Sequence, residues 1–209
     1  MLNTIQGKQI LQLHFLAPAL DHWIKINTQV AQAWQSDGDV PWWYNERALL
    51  SMIAGAIWQT KGIAFEEYST EKRMRSQRNN VKLYSGRQDL FIQIGKEVLI
   101  GECKVCWSGA TLRKVNPSTR INRMLDIACA DIKKTKPNGQ RRIGIVFARP
   151  YIRGIHRSIV STLVKKWIAT VRDGVNYSCC AWVFPSQSRF IQGDDEDVIP
   201  GVAVFIREV

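Results

Sequence analysis

The sequence predicts an α/β protein, with a mixed central sheet flanked by helices. Three observations lead there. The 209 residues are 45% hydrophobic and include eight Trp, enough for one packed core and short for two. Apolar positions switch between helical and strand spacing along the chain. The resulting order, helix, three strands, helix, strand, helix, two strands, is that of a sheet covered by helices.

Residues 2–36 read as helical, with a break at Ala17-Pro18, and Ser36-Asp37-Gly38-Asp39 as a turn. Asn45 to Thr60 is a helix in which Leu49, Leu50, Ile53 and Ile57 share a face. Residues 66–80 are polar and basic and carry no assigned element. Val81 to Tyr84, Asp89 to Ile94 and Glu97 to Val105 read as strands. A helix from about Ser118 to Lys134 has Ile121, Met124, Leu125, Ala128 and Ile132 as its stripe, and Pro137-Asn138-Gly139 ends it. Arg142 to Phe147 is a strand, His156 to Val171 an amphipathic helix, and Ser178 to Phe184 and Val202 to Arg207 late strands. This divides a single domain, 1–209, into a helical extension (1–40), a core (41–150) and a closing helix and strands (151–209).

The formal net charge of +11 favours a polyanionic partner, nucleic acid ahead of an anionic membrane surface. No stretch suits a membrane span: Ile10 to Leu20 is short and interrupted by Gln12, His14 and Pro18. A basic leader and cleavage site are lacking, so no signal peptide is expected. Five Cys, two of them adjacent, do not form a disulfide framework, which points to a reducing cytoplasmic compartment. Cys103-x-x-Cys106 has no second ligand pair at zinc spacing.

The chemistry lies in the run from Asp89 to Lys104. A two-residue turn at Gly95-Lys96 makes a hairpin in which Ile94 pairs with Glu97, and counting outward sets Asp89 opposite Glu102. Lys104 shares the face of Glu102. Directly opposed side chains have Cβ atoms about 4.5–5.5 Å apart, where like charges destabilise a sheet. A divalent cation reverses that sign, and Mg²⁺ prefers such hard oxygens, with the Cys103 carbonyl as a further donor. Lys104 beside the metal could orient water or stabilise developing charge. The structural alternative is an ordinary salt-bridged hairpin in which Lys104 neutralises one carboxylate. Apolar residues on both faces of these strands mark them as central, where a buried acidic pair needs a reason to be present.

These residues resemble the PD-(D/E)XK, or restriction-endonuclease-like, nuclease superfamily: a helical Glu (Glu46), an Asp opening a strand (Asp89 in Gly86-Arg87-Gln88-Asp89-Leu90), then Glu-x-Lys (Glu102-Cys103-Lys104). The resemblance covers residues 45 to about 148, roughly half the chain. It implies a helix-strand-strand-strand-helix-strand core, with the N-terminal helices and C-terminal strands as additions. It also implies a Mg²⁺- or Mn²⁺-dependent endonuclease acting on DNA, with Asp89, Glu102, Cys103 and Glu46 as metal ligands and Lys104 assisting. Glu46 is otherwise explained as an acid complementing a helix dipole. Gln88 stands where Pro is usual, a change expected not to touch the ligands, and the Gln-x-x-x-Tyr of RecB-like exonucleases is absent. Lys72, Arg73, Arg75, Arg78 and Arg87 before the site, and Arg113, Lys114, Arg120 and Arg123 after it, are the candidate phosphate contacts. Trp107 reads as core and the acidic run 194–197 as a solvent-facing loop. The rivals are an inactive nucleic-acid-binding or assembly subunit of the same fold and an RNA nuclease. With little room for a specificity domain, either weak sequence preference or dependence on a partner is expected, and cutting both strands with one site per chain would suit a homodimer.

Overall fold

In the computed structural model, residues 3–75, 81–110, 116–136, 138–153, 157–191 and 197–209 are described, with backbone only at 73–75, 81–83 and 157. The elements are β1 (Ile5–Ile10), α1 (Ala17–Ala33), α2 (Glu46–Gln59), β2 (Ile63–Arg75), β3 (Val81–Ile94), β4 (Glu97–Gly109), α3 (Pro117–Lys133), β5 (Arg141–Tyr151), α4 (Arg157–Gly174), β6 (Cys179–Phe184) and β7 (Val202–Glu208). One seven-stranded sheet has the order β1-β6-β7-β5-β4-β3-β2. Only β4 and β5 run parallel among these neighbours, so α3 is the crossover between them. The fold is therefore α/β with a mixed sheet flanked by helices.

Two cores cover the two faces. One is built from α1 and α2 with Leu90, Ile92, Leu99, Cys103, Ile145 and Phe147 of the sheet. The other is built from α3 and α4 with Cys106, Val146, Ala148 and Phe205. Cys103 and Cys106 thus enter opposite cores and do not converge on a metal. Alternation along β4 follows the strand period of two.

The sequence reading needs three corrections. Residues 2–36 are not helical throughout: Ile5–Ile10 is strand β1, paired antiparallel with β6, and α1 begins at Ala17. The polar, basic stretch 66–80, given no element, belongs as far as Arg75 to strand β2, the far edge of the sheet, and residues 76–80 lie outside the described residues. Val81–Tyr84 and Asp89–Ile94, expected as two strands, form the single strand β3. The helix-strand-strand-strand-helix-strand order is present as α2-β2-β3-β4-α3-β5, with a different first strand from the one expected.

The β3–β4 turn is the expected one. Gly95 has φ +59°, a left-handed value that glycine adopts without Cβ strain. Ile94 pairs with Glu97 and the register runs to Leu90 with Gly101, where the ladder stops. Beyond that point β4 continues alongside β5, and β3 continues alongside β2. The sheet forks there. At the same level of β2, Glu67 has φ +48° between the pairs Glu66–Leu90 and Tyr68–Gln88. Such a value is uncommon for a residue other than glycine, and the β2–β3 register is the same on both sides of it.

Candidate active site at the sheet fork

The fork opens between β3 and β4, one step beyond their last pair, and this is the level of Asp89 and Glu102. The Cys103 N–H, left without a β3 carbonyl, donates to Asp89 Oδ2 at 2.7 Å. Gln88 is fully buried, and its side-chain amide donates to the Gly101 carbonyl at 2.6 Å and to Glu102 Oε1 at 3.3 Å. Its carbonyl accepts from the Thr135 hydroxyl at 2.9 Å. Gln88 therefore touches a candidate ligand directly, contrary to the expectation that this position would not. Proline there would remove both amide contacts.

Side chains from both helical layers meet in the fork. Asn45 caps α2 by accepting from the Ala48 N–H at 3.2 Å, so Glu46 is the first helical residue. The turn before it is fastened by buried Arg149, whose Nη1 donates to the Trp42 carbonyl at 3.0 Å and the Tyr44 carbonyl at 2.6 Å. The Arg149 guanidinium lies 3.9 Å from the centre of the Trp107 ring. Trp107 is thus part of the structural frame, as read from the sequence. On the other side, α3 lies tight against β5: a Cβ on Gly144, the β5 partner of Glu102, would come within 2.7 Å of Cys129 Sγ. The same helix brings Asp131 to 3.5 Å from Lys104.

The electrostatics of the four central residues are mutual. Burial pushes the Glu102 carboxyl up to about 7; Asp89 pushes the same way and Lys72 opposes it. Burial also raises Glu46; the Lys104 charge opposes that, and the charges of Asp89 and Glu67 add to it. Burial would lower Lys104, but Asp89, Glu46, Glu102 and Asp131 outweigh it and hold the ammonium above its ordinary value. Glu46, Asp89 and Glu102, drawn from α2, β3 and β4, are thus all near enough to Lys104 for their charges to raise it.

Lys72 was expected to contact phosphate. Instead its ammonium pairs with Glu102 Oε1 at 2.5 Å, with side chains 14% and 5% exposed. A backbone bridge from Lys72 to Thr135 holds that part of β2 over the fork. Arg87 is exposed and pairs with Glu67 at 3.1 Å. Arg120 and Arg123 are exposed on α3. Arg73 and Arg75 lie on the β2 backbone without described side chains, and Arg78, Arg113, Lys114 and residues 194–196 lie outside the described residues. Asp197, at the end of the acidic run, pairs with Arg153 at 3.4 Å.

Sequence reasoning missed Gln88, Thr135, Asp131 and Tyr68 as neighbours of the site. Tyr68, opposite Gln88, is pushed up to about 12 by burial and by the charge of Glu102. Only Gln88 carried a signal, as the residue in the usual Pro position.

As they stand, no three His, Cys, Asp or Glu side chains among the described residues are gathered closely enough to hold a metal ion. The donor set nonetheless fits a hard cation in kind. Lys72 and Gln88 both use Glu102 Oε1, and Cys103 uses Asp89 Oδ2. Glu102 Oε2 and Asp89 Oδ1 accept no hydrogen bond from a protein donor among the described residues. Carboxylate oxygens of this sort are what Mg²⁺ and Mn²⁺ take. No helix among the described residues is long and apolar enough to cross a membrane. No family model, curated protein or solved structure matches the chain at a significant level.

Proposed function

We propose that the chain is a divalent-metal-dependent nuclease that hydrolyses phosphodiester bonds of DNA, with a restriction-endonuclease-like core. The observation that carries this reading is the placing of Asp89 and Glu102 at the open end of the β3–β4 ladder, where the Cys103 N–H donates to Asp89 Oδ2 at 2.7 Å and Gln88 donates to Glu102 Oε1 at 3.3 Å, and where burial and Asp89 push the Glu102 carboxyl up to about 7. Such a pair is a standing demand for positive charge. Asp89 and Glu102 would hold Mg²⁺ or Mn²⁺, with Glu46 as a further ligand and the Cys103 carbonyl as the backbone donor. A metal so held supplies an activated water and neutralises charge on the phosphate. Lys104, kept protonated by four surrounding carboxylates, presents a fixed positive charge to an attacked phosphate group. Gln88 and Thr135 orient Glu102 by hydrogen bonds. Net charge of +11 and the exposed Arg120 and Arg123 suit a phosphate backbone.

The test is plasmid nicking with Mg²⁺ or Mn²⁺ against EDTA, for wild type and for Asp89→Asn. Metal-dependent nicking lost in the variant is the expected result. Equal nicking by both, or none by either, removes the reading. A second reading is favoured by the Lys72–Glu102 pair, which neutralises the site with no metal: a nucleic-acid-binding or assembly subunit that does not cleave. It predicts DNA binding indifferent to divalent ions and no nicking. Parallel assays on RNA separate the two nucleic acids.

A further inference from the structure

Lys72 reaches Glu102 from two strands away. It stands on the edge strand β2, opposite Tyr84 of β3, while Glu102 is on β4. Its stem crosses β3 at Gly86, where a Cβ would stand 3.0 Å from Lys72 Cδ and 3.1 Å from Cγ. The backbone of Gly86 is not left-handed, so a side chain there would upset the space and not the conformation. The backbone of Lys72 is fixed independently of its charge. It bridges Thr135, and the neighbouring Glu71 carbonyl accepts from the Lys136 N–H at 3.4 Å. The side chain is therefore the movable part. An ammonium has three protons to give, and among the described residues this one has Glu102 Oε1 as its acceptor, at 2.5 Å. That oxygen is already used by Gln88. A buried ion pair of this kind gives little stability over a well-packed apolar pair.

We infer that Lys72 is a built-in counter-ion of the site, holding Glu102 in place of a divalent cation and competing with that cation for it. The inference rests on the proposed metal site and adds a restraint on how that site is loaded. Lys72 brings one charge to a place where Asp89 and Glu102 sit together. Asp89 Oδ1 and Glu102 Oε2 still accept no hydrogen bond from a protein donor among the described residues. A divalent ion shared by the two acids brings twice the charge. The exchange disturbs the fold little, because the Lys72 backbone stays pinned to Thr135 and a long flexible stem can carry its charge out to water. Tyr84 and Ser85, beside Gly86, are exposed, so water is near. Lys104 is placed differently: its charge is shared with Asp131 at 3.5 Å and stays in the site when Glu102 is satisfied by another cation. An ion pair that merely fastened the sheet would need neither a cleared path across β3 nor an acceptor that a second donor already uses.

The test measures Mn²⁺ binding without nucleic acid, from the electron paramagnetic resonance of the free ion, for wild type, Lys72→Met, Gly86→Val and Lys134→Met. Lys72→Met should bind Mn²⁺ about tenfold more tightly or better, since a hydrogen-bonded charge no longer has to be displaced. Gly86→Val crowds the stem and keeps the charge, and should gain in the same direction by a smaller factor. Lys134→Met removes an exposed charge that pairs with Asp131 and should change the affinity less than about twofold. In EDTA, Lys72→Met should melt lower than wild type, and Mn²⁺ should raise its melting temperature by more. Circular dichroism checks folding, and where Lys72→Met or Gly86→Val fails to fold the other decides. Affinity unchanged or weakened in Lys72→Met overturns the inference. So does a gain that Lys134→Met matches, or that folded Gly86→Val does not share, since either makes it an effect of net charge and not of the contact. If none of the four proteins binds Mn²⁺, the metal site fails and the competition with it. Plasmid nicking is scored separately. Competition without nicking removes the nuclease reading and leaves the inference standing. Nicking with Mn²⁺ affinity unchanged in Lys72→Met removes the inference alone.

Discussion

Two carboxylate clusters lie along β4 and are built on opposite principles. At its start, Glu97 and the β7 residue Glu208 share Arg141: Arg141 Nη1 reaches Glu97 at 2.7 Å, and its Nε and Nη2 reach Glu208 at 2.6 and 2.8 Å. The bidentate guanidinium holds Glu208 below the ordinary carboxylate value. Further along, Glu102 is raised, although Lys72 is as close to it as Arg141 is to Glu208. The distances are similar and the outcomes differ, because Glu102 is buried and shares its space with Asp89, whereas the Arg141 cluster is partly open and has no crowded acid pair. A close ion pair does not by itself make a stabilising cluster. The desolvation around it decides the sign.

The largest expected difference between the clusters is in activity. Asp89→Asn and Glu102→Gln should each lower Mg²⁺-dependent plasmid cleavage by about a hundredfold or more, while Arg141→Met cleaves at the wild-type rate. A loss of cleavage in Arg141→Met equal to that in Glu102→Gln, with the fold intact by circular dichroism, would erase the distinction.

The pH dependence of stability in EDTA comes next. The folded-state pKa of Glu102, about 7, lies above the ordinary glutamate value of 4.5, so between these values the folded chain holds more of this proton than the unfolded one. Its contribution is therefore full below pH 4.5 and is lost as pH rises through about 7, to the extent of about 3 kcal/mol. Glu208 has the opposite sign: its contribution is present above the unfolded value and lost as pH falls through the lowered folded one. Urea melts across this range should show the first slope disappear in Glu102→Gln and the second in Glu208→Gln. A wild-type slope unchanged in Glu102→Gln would put the two acids in one class.

A smaller effect is expected from opening the clamp itself. Arg141 is 36% exposed, so Arg141→Met should cost about 1–2 kcal/mol after solvent screening. That is a melting shift of about 2–6 °C by calorimetry, and 0.5 M salt should shrink it. The smallest effect is in salt dependence: Arg120→Ala and Arg123→Ala should each reduce the log–log salt slope of DNA binding by about 0.9, and Arg141→Met should leave it alone. A slope unchanged by both α3 variants would take that helix out of the interface.

The candidate site was legible where chemistry and local geometry coincide. Asp89 and Glu102 follow from counting outward from Gly95-Lys96, and that register holds to the last ladder pair. Glu46 was legible as an acid at the start of a helix, and the Asn45 cap that fixes it there was not. Partners brought by distant elements were not: Lys72, Thr135 and Asp131 reach the fork through an edge strand and a crossover helix, and nothing local to them announces it. Within the fold, strands with apolar alternation were found and β2 was not. An edge strand such as β2 can carry Glu, Lys and Arg on positions that face water, which hides the period of two. The first strand, β1, was hidden likewise: Gln6, Gly7, Lys8 and Gln9 separate its two Ile, and a long helical pattern follows.

The place of β1 in the sheet also bears on how the chain is made. Its neighbour in the sheet is β6, so Ile10 waits for Cys179 before it can pair. On a ribosome the earliest strand to emerge is among the last to be satisfied, and such non-local pairing is slow. Until then Ile5–Ile10 is an open strand edge near a half-covered α1, a template for another nascent chain of the same kind. Ribosome-stalled chains ending before residue 179 should therefore be cut readily by protease near β1, and chains long enough to expose β6 and β7 outside the ribosome should not.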